Sequence, residues 1–387
     1  MNVKQTDKQY VMGTYNRFDL LITAGEGCYC FDETGKRYID LTSGIGVNCL
    51  GYCDREWADA VSEQAHTLSH TSNLFYTEPC VRLAKALCER TGAKKVFFGN
   101  SGAEANEGAI KVARKYSYDK YGEGRNTVIT LKNSFHGRTI TTLAATGQDV
   151  FHNYFFPFTE GFRYVESGDM NALKAQFDDT VCAVMIEFIQ GEGGVIPQDK
   201  EYIKALRKFC GEKDVLLIAD EVQTGVGRTG KFLASENYGI VPDITTLAKG
   251  LGGGLPIGAV AVYGKAENVM GFSSHGSTFG GNPIVCAGAL KVMERIDDAF
   301  LADVESKGEF VRKKLVGAKG VESVSGAGLM IGIKPTDKKS ADIVKKGIER
   351  GVLMLTAKDK IRLLPPLTIT VRQLDEALDI LLEILAE

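Results

Sequence analysis

The sequence predicts an α/β protein with a large, mostly parallel central sheet and a smaller α+β domain. Three observations carry that expectation. Residues 181–187 and 215–220 are continuous apolar runs that end in a carboxylate, and Ile203, Leu206 and Cys210 stand at helical spacing between them. A strand, a helix and a strand within about 40 residues make a βαβ crossover, and strands that are apolar on both faces belong to covered parallel sheets. A third run, residues 244–247, passes through Ala248 into Lys249 and a glycine-rich stretch, residues 250–254. Ligands of such sheets sit at the carboxyl ends of the strands, and Glu187, Asp220 and Lys249 all fall there.

Length and composition set the frame. At 387 residues the chain holds two or three domains, or one large α/β domain with a smaller partner. Its 44% hydrophobic and 25% charged residues are ordinary for a soluble globular protein. A net charge of -3 provides no basic footprint for nucleic acid and no polybasic membrane anchor. The nine cysteines are scattered without paired CxxC spacing, which argues against zinc or a disulfide scaffold and for a reducing cytosol. Residues 1–8 lack the apolar core of a signal peptide, and no apolar run approaches the roughly 18 residues of a membrane span. The expectation is a soluble, cytoplasmic protein without a metal.

Taken in order, residues 1–50 read as an arm and a small hairpin that turns at Asp32-Glu33-Thr34-Gly35 and must pack on something larger. His66 and His70, four apart, have no third ligand nearby and read as surface histidines. Residues 95–100 form a strand that breaks into Ser101, and Ser101 with Glu104 has the S-x-x-E form of a capping box. The helix it starts buries Ala105, Ala109, Val112, Ala113 and Tyr116. Small residues at such a helix start leave backbone N–H groups free for a phosphate, although a plain cap is the commoner meaning. After the strand at 127–131, Phe135 and Arg138 are placed to stack on a ring and to clamp a carboxylate; a surface ion pair is the rival meaning of Arg138. The C-terminal helix presents Leu374, Ala377, Leu378, Leu381, Leu382 and Leu385, with Thr370 and Gln373 as its cap. Three divisions follow: residues 1–50 as part of a small domain, 51–275 as the large domain, and 276–387 as the rest of the small one.

Residues 225–230 match G-x-G-x-x-G, the pattern of a nicotinamide dehydrogenase, and 225–231 match the start of a Walker loop. Phe232 stands where that loop needs Ser or Thr, and no long amphipathic helix follows. These glycines are expected to build a mobile loop. A lysine at a strand end commonly snorkels into solvent. A desolvated lysine with a carboxylate, an anion cradle and an aromatic plate at neighbouring strand ends has a use as a nucleophile.

Six ordered motifs sharpen this set: residues 100–107, 134–139 (SFHGRT), 190–194 (QGEGG), 220–230 (DEVQTGVGRTG), 247–254 (LAKGLGGG) and 277–283 (STFGGNP). Together the chain resembles the class III pyridoxal-phosphate aminotransferases, from about residue 15 to its C-terminus. The resemblance implies the type I fold of pyridoxal-phosphate transferases and a homodimer with shared active sites. It implies Lys249 as the lysine that bonds the cofactor aldehyde and carries a proton, Asp220 on the pyridine nitrogen, and Gln223 near the ring hydroxyl. Ser101, Gly102 and Ala103 would hold the phosphate, with Thr278 reaching it from the neighbouring subunit; Phe135 and Val222 would cover the two ring faces. Arg138, with Ser277 and Tyr15 nearby, would grip the remote substrate carboxylate. Arg362 would take the α-carboxylate of glutamate, with Glu192 as its switchable partner. The implied reaction moves the δ-amino group of N-acetylornithine to 2-oxoglutarate; succinylornithine, ornithine and 4-aminobutyrate are the rival donors.

Two positions depart from the family pattern. Phe188 replaces the proline that usually follows Glu187, so the path of that strand end is expected to differ. Ala219 replaces a larger residue before Asp220 and is expected to leave space beneath the cofactor. The glycines after Lys249 are expected to let it swing.

Overall fold

The computed structural model describes residues 2–387. Its centre is a seven-stranded sheet in the order Lys95–Gly99, Gly258–Val262, Ile244–Leu247, Leu216–Asp220, Val181–Ile186, Thr127–Leu131 and Phe162–Val165. Gly258–Val262 runs antiparallel to both of its neighbours, and the remaining pairs are parallel. The crossover expected from sequence is present: Val181–Ile186 and Leu216–Asp220 pair in parallel, joined through the helix Lys200–Glu212, which buries Ile203, Leu206 and Cys210. The strands of that pair are buried along their whole length, because helices cover both faces of the sheet.

Alternate residues of each strand feed different cores. Val184, Ile186, Phe188, Leu217 and Ala219 join one apolar cluster, and Met185, Leu216 and Ile218 join another with Ala105, Ala109 and Ala113 of the helix Gly102–Tyr121. Here both departures from the family pattern find their place, and the expectation for Ala219 is corrected. Ala219 does not line the cleft; it lies fully buried on the same sheet face as Phe188, whose ring stacks on Tyr238 at 5.0 Å. The Tyr238 hydroxyl donates to the Phe188 carbonyl at 3.0 Å.

The N-terminal hairpin, Tyr29–Asp32 with Arg37–Asp40, turns at Gly35 with φ 84° and pairs in parallel with Val352–Leu353 from the far end of the chain. A second four-stranded sheet is built from Val321–Ala327, Met330–Pro335, Lys360–Leu363 and Leu355–Ala357. The final helix, Val371–Ala386, carries the Thr370–Gln373 capping box and buries Leu374, Ala377, Leu378, Leu381 and Leu385. Among the described residues, no helix is long and apolar enough to cross a membrane.

The segment 225–230 is not a mobile loop, contrary to the sequence expectation. All six of its residues are buried. Arg228 Nη1 donates to the carbonyls of Leu329 at 3.1 Å and Pro365 at 2.6 Å, and its own carbonyl accepts from Leu329 N at 3.0 Å. Gly227, at φ 84°, packs so closely that a β-carbon would stand 3.1 Å from both Ile296 and Leu301. Its glycines serve close approach between the two parts of the chain.

Candidate active site

Strand ends of the large sheet and the start of the helix Gly102–Tyr121 enclose a cleft of about 470 Å³. Its wall includes Ser101, Gly102, Ala103, Phe135, Arg138, Asp220, Val222, Gln223 and Lys249. Nine of the candidates read from sequence therefore meet in one place. Glu192 and Arg362 pair with each other beside Gln223, whereas Ser277, Thr278 and Tyr15 stand outside the wall of this chain's own cleft.

Local geometry explains the anion cradle. Ser101 caps the helix, its Oγ accepting from Glu104 N at 3.1 Å, and the first helical bond runs from Ala105 N to Ser101 O. The N–H groups of Gly102 and Ala103 are left facing the cleft at the positive end of a 20-residue helix. The cap differs from a true box, because the Glu104 carboxylate accepts from Asn100 N, one residue earlier, at 2.8 Å. Glycine is required at the helix start: a β-carbon on Gly102 would lie 2.6 Å from Val222 Cγ1.

Asp220 is buried and fully engaged. Asn106 Nδ2 and His136 Nδ1 each donate to its Oδ2 at 2.8 Å, and Val222 N donates to Oδ1 at 3.0 Å. Asn106 is fixed in turn by Thr246, whose hydroxyl donates to Asn106 Oδ1 at 2.7 Å. Three elements thus hold one carboxylate. The buried His136 Nε2 has no partner among the described residues.

Lys249 ends its strand in the left-handed region, at φ 41°, an uncommon and costly backbone for a non-glycine residue. Burial pushes its amine below the usual lysine value; Glu192 opposes that shift and Arg362 adds to it. The following glycines do not form a loose hinge, so the expected swing finds no support there. Gly250 to Gly253 are buried in a tight turn, where Cys49 Sγ donates to Gly250 O at 3.0 Å and Trp57 Nε1 to Gly252 O at 3.1 Å.

Arg362 lies on the strand Lys360–Leu363, buried, with Nη1 2.5 Å from Glu192 Oε1 and 3.3 Å from Gln223 Oε1. Burial alone would raise the Glu192 carboxyl, but the Arg362 guanidinium holds it below the usual glutamate value. Arg138 is exposed and pairs with no carboxylate among the described residues. Its guanidinium sits 4.0 Å from the centroid of Phe151 and 5.5 Å from that of Phe135.

Sequence reasoning passed over His136, Asn106, Phe151 and the bonding role of Glu187. Two signals were available: His136 sits inside the SFHGRT motif, and Asn106 is a polar residue beside Ala105 and Ala109 at the buried start of its helix. Phe151 carried no signal, because the helix Ile140–Ala145 and a further turn separate it from Arg138.

Comparison with known proteins agrees along nearly the whole chain. The family described as aminotransferase class-III matches residues 10–385. The acetylornithine aminotransferase of Haemophilus ducreyi is 52% identical over all of this chain and 98% of its own length. Among solved structures, the N-acetylornithine aminotransferase of Stenotrophomonas maltophilia superposes with a TM-score of 0.85 at 33% identity, covering 99% of this chain and 98% of that one. The ornithine aminotransferase of Toxoplasma gondii superposes with a TM-score of 0.93 at 33% identity, covering 99% and 93%. With the fold, the strand-end cleft and these matches in agreement, the chain belongs to the class III aminotransferase family.

Proposed function

We propose that this chain transfers the δ-amino group of N-acetylornithine to 2-oxoglutarate, releasing N-acetylglutamate semialdehyde and glutamate. Identity of 52% and 48% with acetylornithine aminotransferases over almost the full chain favours this donor over ornithine, succinylornithine or 4-aminobutyrate. The observation that carries the chemistry is the cleft, where a desolvated lysine, the buried Asp220 carboxylate and a bare helix start face the same space.

Those residues fit pyridoxal phosphate. The free N–H groups of Gly102 and Ala103, with Ser101, would hold its phosphate; Asp220 would meet its ring nitrogen, Phe135 and Val222 would cover the ring, and Gln223 would meet its hydroxyl. When bound, the cofactor supplies an aldehyde for the amino group and a ring that accepts the electron pair freed at the substrate carbon. Three donated hydrogen bonds hold the Asp220 carboxylate in place for that role. Lys249, its amine pushed toward the neutral form, would hold the cofactor through its aldehyde and carry the proton between donor carbon and acceptor.

Substrate choice follows from two arginines. Arg138, free of carboxylate partners, binds the remote carboxylate of either substrate, with Ser277 and Tyr15 completing that end. Arg362 is closed by Glu192 while the donor's δ-carbon reacts, since no carboxylate accompanies that carbon. The α-carboxylate of 2-oxoglutarate displaces Glu192 and takes the arginine.

The same reading calls for a homodimer, in which Thr278 serves the partner's phosphate site. Asn73 Nδ2 donates to the carbonyls of Ser277 at 3.0 Å and Gly280 at 2.8 Å, tying the Thr278 loop to an exposed apolar stretch of Leu74, Phe75 and Tyr76. A patch of this kind suits burial against a second chain. A cytoplasmic location accords with nine free cysteines.

The test is reduction of cofactor-loaded protein with borohydride, followed by peptide mapping, beside a panel of amino donors. A stable adduct on Lys249 and a preference for N-acetylornithine are expected. An unmodified Lys249 refutes the chemistry, and a strong preference for free ornithine or 4-aminobutyrate refutes the donor. Asp220→Asn is expected to keep the cofactor and lose most turnover; unchanged turnover assigns the ring nitrogen another partner.

A further inference from the structure

Glu187 is a buried carboxylate to which the functional reading assigns no task. Its Oε1 accepts from Phe135 N at 2.7 Å, and its Oε2 accepts from Gly191 N at 3.2 Å. Phe135 is the aromatic plate of the cleft; Gly191 directly precedes Glu192, the partner of Arg362. One side chain therefore ties the segment that carries the plate to the segment that carries the gate.

Nearby contacts show that the two segments are laid side by side. Gln190 Nε2 donates to Lys132 O at 2.8 Å, and a β-carbon on Gly193 would stand 2.8 Å from Asn133 O. A β-carbon on Gly191 would meet Gln223 Oε1 at 2.3 Å, so this backbone also rests on the amide that accepts from Arg362. Glu187 is the side chain that accepts from both N–H groups. A carboxylate accepts at both oxygens, whereas an amide in its place turns a donor toward one of the two N–H groups. The isosteric change therefore breaks one arm of the tie without opening a cavity.

We propose that Glu187 is a positioning residue that couples the plate to the gate: by holding Phe135 N and Gly191 N together, it sets where Glu192 meets Arg362. The proposal rests on reading Glu192 and Arg362 as the carboxylate gate. Loss of the tie loosens the pair and leaves Arg362 open to carboxylates throughout the cycle. The donor half of the reaction then suffers, and the 2-oxoglutarate half is spared.

The test uses the cofactor-loaded enzyme with Glu187→Gln, and Glu187→Asp as a second variant that keeps the charge but shortens the reach. Hydrogen exchange is expected to speed up at least tenfold at Phe135 and in the 191–194 segment alike, with the helix Lys200–Glu212 unaffected. The ratio of kcat/KM for N-acetylornithine to kcat/KM for 2-oxoglutarate is expected to fall about tenfold. In a Glu192→Gln background, Glu187→Gln is expected to change that ratio no further, because its effect passes through Glu192. Unchanged exchange at 191–194, or an equal further drop in the Glu192→Gln background, overturns the proposal. Wild-type protein that fails to transaminate N-acetylornithine sinks the functional reading instead, and exchange in the two segments still judges the tie.

Discussion

Arg228 and Arg362 are both buried arginines, and one segment links them: Arg228 bonds the Pro365 carbonyl, three residues beyond Arg362. Their partners separate them. Arg228 spends its hydrogen bonds on backbone carbonyls, and burial pushes its guanidinium down to about 10. Arg362 faces a side-chain carboxylate, Glu192. A carbonyl fixed in the backbone cannot be exchanged, whereas a carboxylate on a flexible stem can yield to one on a substrate. Burial alone does not mark a functional arginine; an exchangeable partner does.

The sharpest way to break this contrast is to truncate each arginine. Arg362→Ala is expected to lower kcat/KM for 2-oxoglutarate about a hundredfold or more, as removing one member of a buried charge pair does. The measurement is steady-state kinetics for both substrates, and equal loss for a carboxylate-free keto acceptor would assign Arg362 no carboxylate.

Arg228→Met is expected to do the reverse. Its two orphaned carbonyls cost about 3 kcal/mol of stability, read as a lower urea midpoint, while KM for either substrate stays near wild type. A raised KM with unchanged stability would move Arg228 into the substrate site.

A milder test concerns the third arginine. Arg138 lies over Phe151, so Phe151→Ala is expected to raise KM for N-acetylornithine about two- to thirtyfold, the range of a cation–π contact of about 0.5–2 kcal/mol. The same change should leave a donor amine without the remote carboxylate untouched.

The smallest expected effect extends the contrast to acids. Glu221 is buried like Arg228 and likewise has backbone partners, accepting from Ala234 N and from Ser235 N at 2.9 Å; burial pushes its carboxyl up to about 7. Its folded value exceeds the unfolded value of about 4.3, so its stabilising share is whole below that pH and is lost as pH rises through about 7. Glu221→Gln is expected to flatten the fall in stability between pH 5 and 8 by on the order of 1 kcal/mol, measured by urea unfolding at both pH values. A slope equal to wild type would mean that Glu221 stays ionised throughout.

Much of this was legible in the chain. The apolar runs ending at Glu187 and Asp220, the helix beginning at Ser101 and the lysine after Leu247 are local patterns, and each stands where periodicity and capping place it. The glycine-rich segments were misread. The 225–230 loop and the turn after Lys249 look permissive in sequence, yet both are buried, because glycine allows close approach as readily as it allows motion. Ala219 was misread for a related reason: which face of a strand a residue serves depends on register, and register is set by neighbours.

By itself the sequence determined the class of fold, the strand-end position of the lysine and carboxylates, and the capped helix start at Ser101, because these depend on spacing within one segment. Tertiary structure decided the partners: His136 and Asn106 on Asp220, Phe151 on Arg138, Phe188 on Tyr238, and Glu187 between Phe135 and Gly191. Most of those pairs join residues on different elements, and only packing at a few ångströms determines which donor meets which acceptor.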